Sequence, residues 1–331
     1  MRQQIAVASL VALAASVAVA QTGPELMLKP MPNELRTDGR AAAQYFFDRD
    51  ADSGNFATGD SGDVQVARFI AEARVRLATP GGTEPISRAD PRVGVSFTEL
   101  TVEDNGSTLP GHFTDFQVGV GTGIAEYQGW VAGLTFGAGY AGNNAFGEGD
   151  GYFGAATLLI GRQIDPNTSL GLALDYNGNR TFMPDVPLPG VVYTVKYPER
   201  DLEVSLGFPN AYGRWRATEK LLLELNFTFP DFVGGRFSYD FVEGVGIFGS
   251  LSRRTDAWTA DGLDDHDRVF FQQTLAEIGG RLGVGDQFAV VLAGGWAFGQ
   301  EFTVGFDTRD DDKVAELDDG PFIRLEGEFR F

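Results

Sequence analysis

Apolar and polar side chains alternate with a period of two along much of this chain. The alternation is clearest from 128 to 140. The even positions there are apolar or aromatic: Trp130, Ala132, Leu134, Phe136, Ala138 and Tyr140. A period of two places successive side chains on opposite faces of a β-strand. Ten residues, each rising about 3.3 Å and tilted by about 40°, span about 25 Å, the height of the apolar band of a membrane barrel. The segment predicts a membrane-spanning strand with Trp130 and Tyr140 as its interface girdle.

The same alternation recurs at 170–176, 221–229, 237–241 and 288–298. Weaker candidate strands lie at 64–77, 92–102, 115–124, 152–164, 190–197, 201–208, 245–254 and 268–284. Short turns such as 165–167 alternate with longer acidic segments at 103–112, 142–151, 255–267 and 307–320. Turns at one end and loops at the other are typical of an outer-membrane barrel. The pattern predicts an all-β fold, a transmembrane antiparallel up-and-down β-barrel of about 12 strands, with a range of 10–14.

The C-terminal segment carries the most specific signal. Its apolar face consists of Phe331, Phe329, Leu325 and Ile323. The intervening residues are all charged: Arg324, Glu326, Glu328 and Arg330. Such a strand suits lipid on one side and a polar lumen on the other. The terminal phenylalanine is also typical of the signal that bacterial barrel-assembly machinery recognises, so we expect that machinery as a partner. The alternative is an amphipathic edge strand of a soluble sheet.

The N-terminus resembles an export signal. Arg2 precedes an uncharged apolar stretch at 5–15, and Ala18-Val19-Ala20 forms a small-x-small cleavage pattern. We expect a signal peptide at 1–20 that is cleaved after Ala20, which directs the chain to the bacterial outer membrane. Residues 21–60 are expected to form an N-terminal periplasmic tail or plug segment, and 61–331 the barrel.

Composition narrows the functional classes. Glycine occurs 44 times and aromatic residues make up 12% of the chain, which disfavours a helical protein. The net charge of −20 lacks the basic footprint that nucleic acid requires. The absence of cysteine excludes thiol catalysis and cysteine-ligated metals.

One segment resembles a known family. It contains Pro187-Leu188-Pro189-Gly190, Tyr197-Pro198, Leu206-Gly207-Phe208-Pro209 and Trp215-Arg216-Ala217-Thr218-Glu219-Lys220. The order of these motifs, at 187–220, resembles an uncharacterised family of bacterial outer-membrane β-barrels that is classed as a domain of unknown function. The resemblance implies the fold and location only, since the family brings no substrate or catalytic residues.

The candidate chemistry lies mainly in the lumen. Its candidate residues are polar positions on the inward faces of the predicted strands: Thr135, Glu224, Asn226, Thr228, Asp240, Arg324, Glu326, Glu328 and Arg330. Asp48, Asp50 and Asp52 alternate as in a calcium loop but depart from the EF-hand pattern, so they are weak metal candidates. Acidic loops can gather divalent cations loosely, and no other cofactor is expected. His112 and His266 lie near aspartates without a nucleophile motif, so we do not expect an enzyme.

The chain is therefore expected to be a passive channel or uptake pore for small solutes in contact with outer-membrane lipid. One alternative is a barrel with a closed bore that serves a structural or surface-binding role through acidic loops. A second alternative is a soluble exported β-sandwich that binds ligands. The channel hypothesis rests on analogy with the fold.

Overall fold

The computed structural model describes residues 36–53, 62–77, 91–104, 109–147, 149–263 and 266–331. The predicted signal peptide and its cleavage site lie outside these residues. None of the helices in the described ranges has the length and apolarity needed to cross a membrane. The strands are β1 Thr37–Ser53, β2 Gly62–Arg76, β3 Arg92–Asp104, β4 His112–Tyr127, β5 Trp130–Gly142, β6 Tyr152–Asp165, β7 Thr168–Asn177, β8 Leu188–Tyr197, β9 Leu202–Phe208, β10 Asn210–Arg216, β11 Leu221–Thr228, β12 Phe232–Val242, β13 Val245–Thr259, β14 Arg268–Val284, β15 Phe288–Gly305, β16 Asp311–Leu317 and β17 Gly320–Arg330. Short 3-10 helices lie at Gly149–Gly151 and Pro198–Arg200.

These strands form one sheet that closes on itself. Each strand from β1 to β15 pairs antiparallel with its neighbour in sequence, and β17 pairs with both β15 and β1. β16 and β17 share one position in the wall, since Gln300 of β15 faces Leu317 and Ala297 faces Gly320. The wall thus has 16 positions and one additional strand segment. The antiparallel up-and-down barrel is confirmed, the strand number of about 12 is wrong, and a single closed sheet excludes the β-sandwich.

The N-terminal part of the barrel corrects a second expectation. Residues 21–60 are predicted to form a tail or plug, but Thr37–Ser53 form β1. This strand pairs with β2 on one side and with β17 and β16 on the other, so it closes the seam of the barrel. Its outward face begins with Ala41 and Ala43, whose small side chains give a weak alternation signal. The remaining parts of 21–60, at 21–35 and 54–60, lie outside the described residues.

The two ends of the barrel differ. Arg36, the first described residue, and Phe331 lie at the end where the connections are short, at 128–129, 166–167, 198–201, 217–220, 243–244 and 285–287. We call this the turn end. The longer described connections, 178–187 and 306–310, lie at the opposite end, which we call the loop end. The backbone of Phe331 accepts hydrogen bonds from the amides of Arg36 and Thr37, and this fixes the last strand beside the first.

The main apolar core lies inside the barrel at the loop end. Its large aromatic members come from strands on several sides of the lumen: Phe46, Phe113, Trp258, Phe271, Phe302 and Phe322. We call these six residues the apolar plug. Each is at most 1% exposed. The lumen is thus filled by packed side chains at one end of the barrel, which determines where a solute can be held.

Candidate functional site

The outward face of the wall is apolar. On β11 and β12, Leu223 faces Phe237, and Leu225 and Tyr239 continue the same face. Large apolar side chains remain exposed around the barrel, including Leu225 at 67% and Leu292 at 64%. Water-soluble monomers rarely leave a continuous apolar surface of this extent uncovered. The outer face is therefore suited to lipid.

One predicted girdle residue does not lie at this outer surface. Tyr140 is 1% exposed, because Phe146 and Tyr152 cover its ring with centroids 5.1 Å away in each case. Its hydroxyl donates to the carbonyl of Asn144. The exposed aromatic residues at this position are Phe146 and Tyr152. Trp130 lies at the turn end, where the Arg162 guanidinium is 5.8 Å from its ring centroid.

The structure places the predicted lumen residues on inward strand faces. Glu224, Asn226, Arg324 and Glu326 line one cavity. The others continue the same faces away from it: Thr228 on β11, Asp240 on β12, and Glu328 and Arg330 on β17. Thr135 lies on the opposite side of the barrel and is 2% exposed. The nine positions therefore do not form a single site.

The cavity has a volume of about 380 Å³ and lies between the apolar plug and the turn end. Small-molecule sites commonly have volumes of about 300–1,000 Å³. Its lining combines arginines and glutamates with a belt of smaller or apolar side chains. The charged lining residues are Arg40, Arg68, Glu224, Arg236, Arg254, Glu277, Arg324 and Glu326. This cavity brings together lumen side chains that could contact a small solute.

Most of these charged residues have an ion-pair partner, either in the lining or directly behind it. Arg40 donates to both carboxylate oxygens of Glu72, at 3.0 and 3.1 Å. Arg324 donates to both oxygens of Glu277 at 3.0 Å and also pairs with Glu326. Bidentate arginine–carboxylate pairs are strong and fix the geometry of both partners. We call this side of the cavity, formed by β17, β1, β2 and β14, the paired wall.

Closer to the apolar plug, two further arginines share one carboxylate. Arg254 Nη2 lies 2.6 Å from Asp256 Oδ1, and Arg68 Nη2 lies 2.9 Å from Asp256 Oδ2. Beside them, Gln300 donates to Gln273 at 2.9 Å and accepts from Arg49. These ion-paired and hydrogen-bonded side chains lie between the cavity and the apolar plug.

The other side of the cavity, formed by β10, β11 and β12, is different. Within the described residues, Glu224 and Arg236 are the charged lining residues that make no ion pair. Arg236 instead lies over the Phe248 ring, 4.0 Å from its centroid, and donates to Ser238 at 3.3 Å. Asn226 Oδ1 is buried and has no hydrogen-bond partner. This side, which we call the unpaired wall, retains hydrogen-bonding capacity for a solute.

The loop end is closed by contacts across the lumen. The rings of Phe113 on β4 and Trp258 on β13 have centroids 5.1 Å apart, although these strands are not neighbours. Thr259 pairs with Gly142 of β5, and its hydroxyl donates to the carbonyl of Ala141 at 2.8 Å. Opposite walls of the barrel therefore touch within the described residues.

The connection at 178–187, which we call the mouth loop, folds across the remaining opening. Asn179 donates to the carbonyl of Ala257 at 3.1 Å. Arg268 Nη2 donates to the carbonyls of Arg180 and Phe306, at 3.0 and 2.9 Å. Thr308 donates its amide to the carbonyl of Thr181 at 3.0 Å. Arg268, which is 6% exposed, thus joins the mouth loop to the neighbouring connection at 306–310.

Two aspartates at the mouth have opposite pKa shifts. Burial raises the pKa of Asp231 to about 6, although Thr181 donates a hydrogen bond to its carboxylate. Hydrogen bonds from Arg309 lower the pKa of Asp307. Ionisation of Asp231 therefore costs free energy in the closed mouth, whereas ionisation of Asp307 is stabilised.

The predicted metal candidates do not form a loop. Asp48, Asp50 and Asp52 lie in extended β1, and Asp48 accepts a hydrogen bond from Gln65 at 2.9 Å. No cluster of three or more histidine, aspartate or glutamate side chains that could hold a metal ion is found in the part of the chain that the structure describes. His112 lies 3.7 Å from Glu99 at the rim, away from the cavity.

Sequence reasoning missed the residues that shape the cavity and the mouth. Phe248 lies on the predicted strand at 245–254, and Arg236 directly precedes the predicted strand at 237–241. Their contact joins neighbouring strands and has no local signal. The long acidic connections that the sequence predicts do not include the mouth loop. Its contact with Arg268 joins residues 88 positions apart, so neither periodicity nor motif spacing could reveal it.

No family model and no curated protein matches the chain. The resemblance of 187–220 to an uncharacterised barrel family therefore stays a prediction. Among solved structures, an outer membrane channel from Pseudomonas putida F1 has a TM-score of 0.39 and 10% identity, covering 90% of this chain and 96% of that chain. The P. putida toluene transporter TodX has a TM-score of 0.42 and 8% identity, covering 96% and 94%. Omp33 from Acinetobacter baumannii has a TM-score of 0.36 and 11% identity, covering 91% and 100%.

Proposed function

We propose that this chain is an outer-membrane β-barrel that acts as a passive channel or uptake pore for small polar solutes. The observation that carries the proposal is the contrast between the two faces of one closed wall. The outward face exposes large apolar side chains, whereas the inward face carries charged pairs around a cavity of about 380 Å³. Lipid outside and a hydrated lumen inside satisfy both faces.

The channel is closed at the loop end in this structure. The apolar plug and the mouth loop bring opposite walls together, so passage of a solute requires both to move. The mouth loop is held by polar contacts with the 306–310 connection rather than by continuous strand pairing. Such contacts can exchange for water when a loop opens. The channel therefore has a closed state and a less populated open state.

A closed-bore barrel with a structural or surface-binding role is the second candidate, and the plug is the observation that favours it. The unpaired wall favours the channel. A barrel with a purely structural lumen gains nothing from a cavity that leaves Glu224 and Arg236 without ion pairs. Ion pairs like those of the paired wall would stabilise such a barrel on every side of its lumen.

The experiment is refolding of the full chain into lipid vesicles, followed by measurement of heat-modifiable migration and solute-driven vesicle swelling. The channel predicts a heat-modifiable protein and swelling in small solutes that increases when the mouth loop is released by Arg268→Met. A heat-modifiable protein that never permits swelling, with or without Arg268, would instead support the closed-bore role. A protein that stays in the aqueous phase would contradict the membrane barrel.

A further inference from the structure

The unpaired wall carries opposite charges in adjacent positions. Glu224 of β11 and Arg236 of β12 face each other directly in the strand register. Residues in this relationship have Cβ atoms about 4.5–5.5 Å apart, close enough for long side chains to meet. They nevertheless make no ion pair within the described residues. The wall therefore places a carboxylate and a guanidinium side by side with both still available to a ligand.

The position of Arg236 explains why the two charges remain apart. Its guanidinium lies over the Phe248 ring of β13, 4.0 Å from the centroid, and so is drawn away from β11. A cation over an aromatic face is attracted by the ring quadrupole without losing its hydrogen-bond donors. Glu224 is left facing the cavity beside Asn226, whose Oδ1 is buried and unpartnered. Two acceptors and one multidentate donor therefore surround the same space.

We propose that this wall is a binding site for a small zwitterion of the α-amino acid class. The ligand carboxylate contacts Arg236, and its ammonium contacts Glu224 with Asn226 as a further acceptor. An α-amino acid carries its two charges on adjacent positions, as this wall does. A simple anion meets Glu224, and a simple cation meets Arg236, so each gains one attraction and one repulsion. An uncharged polyol forms hydrogen bonds that lack charge assistance.

The paired wall strengthens this assignment by limiting the other contacts. Glu277 and Glu326 are already bound by Arg324, and Glu72 is bound by Arg40. Breaking a buried ion pair to bind a solute leaves an uncompensated charge. The charged lining residues without an ion pair within the described part of the chain therefore both lie on β11 and β12. The proposal rests on the channel function proposed above, in which this wall selects the solute.

The test uses four probes with nearly the same skeleton. L-serine is the zwitterion, L-glycerate replaces its ammonium by a hydroxyl, serinol replaces its carboxylate by a hydroxymethyl group, and glycerol lacks both charges. Radiolabelled L-serine is equilibrated by dialysis against the refolded full chain in detergent, and the other three probes compete. We expect serine to bind roughly tenfold more tightly than each competitor, since it alone makes both charge-assisted contacts.

The variants assign each contact. Glu224→Gln should weaken serine binding about tenfold and strengthen glycerate binding, because it removes the repulsion of the anion. Arg236→Gln should weaken serine binding and strengthen serinol binding for the corresponding reason. Glu243→Gln, in the exposed β12–β13 turn, makes the same chemical change outside the cavity and should bind serine normally. Heat-modifiable migration of every variant confirms folding.

The outcomes separate this inference from the channel function. Equal binding of all four probes, no binding of serine, or unchanged serine binding by Glu224→Gln overturns the zwitterion site. If the protein also permits vesicle swelling, the channel stands and only its selectivity is wrong. Selective serine binding without vesicle swelling would support the zwitterion site and contradict the channel function.

Discussion

Replacement of Arg268 by methionine should release the mouth loop while preserving the barrel wall. Arg268 lies at the start of β14, and its backbone pairing with Gly305 of β15 does not depend on the side chain. Methionine retains a long apolar stem that can still pack on Phe270, over which the guanidinium lies at 5.1 Å from the ring centroid. The substitution removes the donors that reach Arg180 and Phe306.

The magnitude follows from those two hydrogen bonds, at 3.0 and 2.9 Å. A hydrogen bond to a charged group contributes about 1.5–3 kcal/mol. The third contact, to Asn179 at 3.5 Å, is at the limit of hydrogen bonding and is not counted. The carbonyls regain water when the loop opens, so the lower limit applies. The closed mouth should lose about 3 kcal/mol, roughly a hundredfold in the ratio of closed to open states.

Hydrogen–deuterium exchange of the mouth loop measures this ratio. The informative amides are those of Met183, which donates to Asp307, and Thr308, which donates to the carbonyl of Thr181. Both should exchange roughly a hundredfold faster in Arg268→Met, while amides within β14 and β15 stay unchanged. Arg253→Met, which removes an exposed arginine of β13, is the control. Unchanged exchange at Met183 and Thr308 would refute the assignment of Arg268 as the residue that holds the mouth closed.

Three further predictions follow from the wall, the mouth and the terminus. Leu223→Arg on the lipid face should lower the free energy of unfolding in vesicles by ~2–4 kcal/mol, as measured by urea titration. The adjacent lumen-side substitution, Leu222→Arg, should lower it by less. Equal losses of stability would contradict the assignment of the two faces. Ionisation of Asp231 weakens the closed mouth, because burial raises the pKa of its carboxyl to about 6. This cost begins to fall as the pH drops below about 6 and continues to fall toward the ordinary aspartate pKa of about 3.9. Mouth-loop exchange, corrected for intrinsic rate, should therefore slow from pH 7 to pH 5. Asp231→Asn should abolish that pH dependence, and its persistence would assign it to another group. Phe331→Ala keeps the backbone hydrogen bonds to Arg36 and Thr37 but removes the ring that packs on Phe288. We therefore expect normal export with reduced outer-membrane levels in cell fractionation. Unchanged levels would contradict the role of Phe331 in the assembly signal.

The fold was predictable where a strand has lipid on one face and polar groups on the other. On β11, the outward leucines and the inward Glu224 and Asn226 differ strongly, so alternation identifies both the strand and its faces. The same holds for β17, where charged and apolar residues alternate to the terminus. These strands lie in the part of the wall whose lumen is polar.

The strands that were missed lie where that contrast is weak. β1 carries alanines outward and Phe46 inward, because its inward face packs into the apolar plug. β16 contributes Val314 and Leu317 to the same plug and was placed in an acidic loop. β10 has seven residues and follows a proline, so it is too short for a period of two to be distinctive. A lumen that is apolar at one end cannot be predicted from a rule that assigns polar residues to the inside.

The site was only partly predictable for a related reason. Glu224, Asn226, Arg324 and Glu326 could be placed in the lumen one strand at a time. Their division into paired and unpaired walls depends on contacts between strands, such as Arg324 with Glu277, which are 47 positions apart. The register between paired strands decides these contacts, and the alternation along a single strand does not specify it.

Single-channel conductance in a planar bilayer tests the central claim most directly. The refolded full chain should be closed for most of the recording and open briefly. Arg268→Met should be open for a much larger fraction of the time, and Glu224→Gln should alter the ion preference of the open state. A folded, heat-modifiable protein that carries no current, and still carries none after Arg268→Met, would contradict the channel.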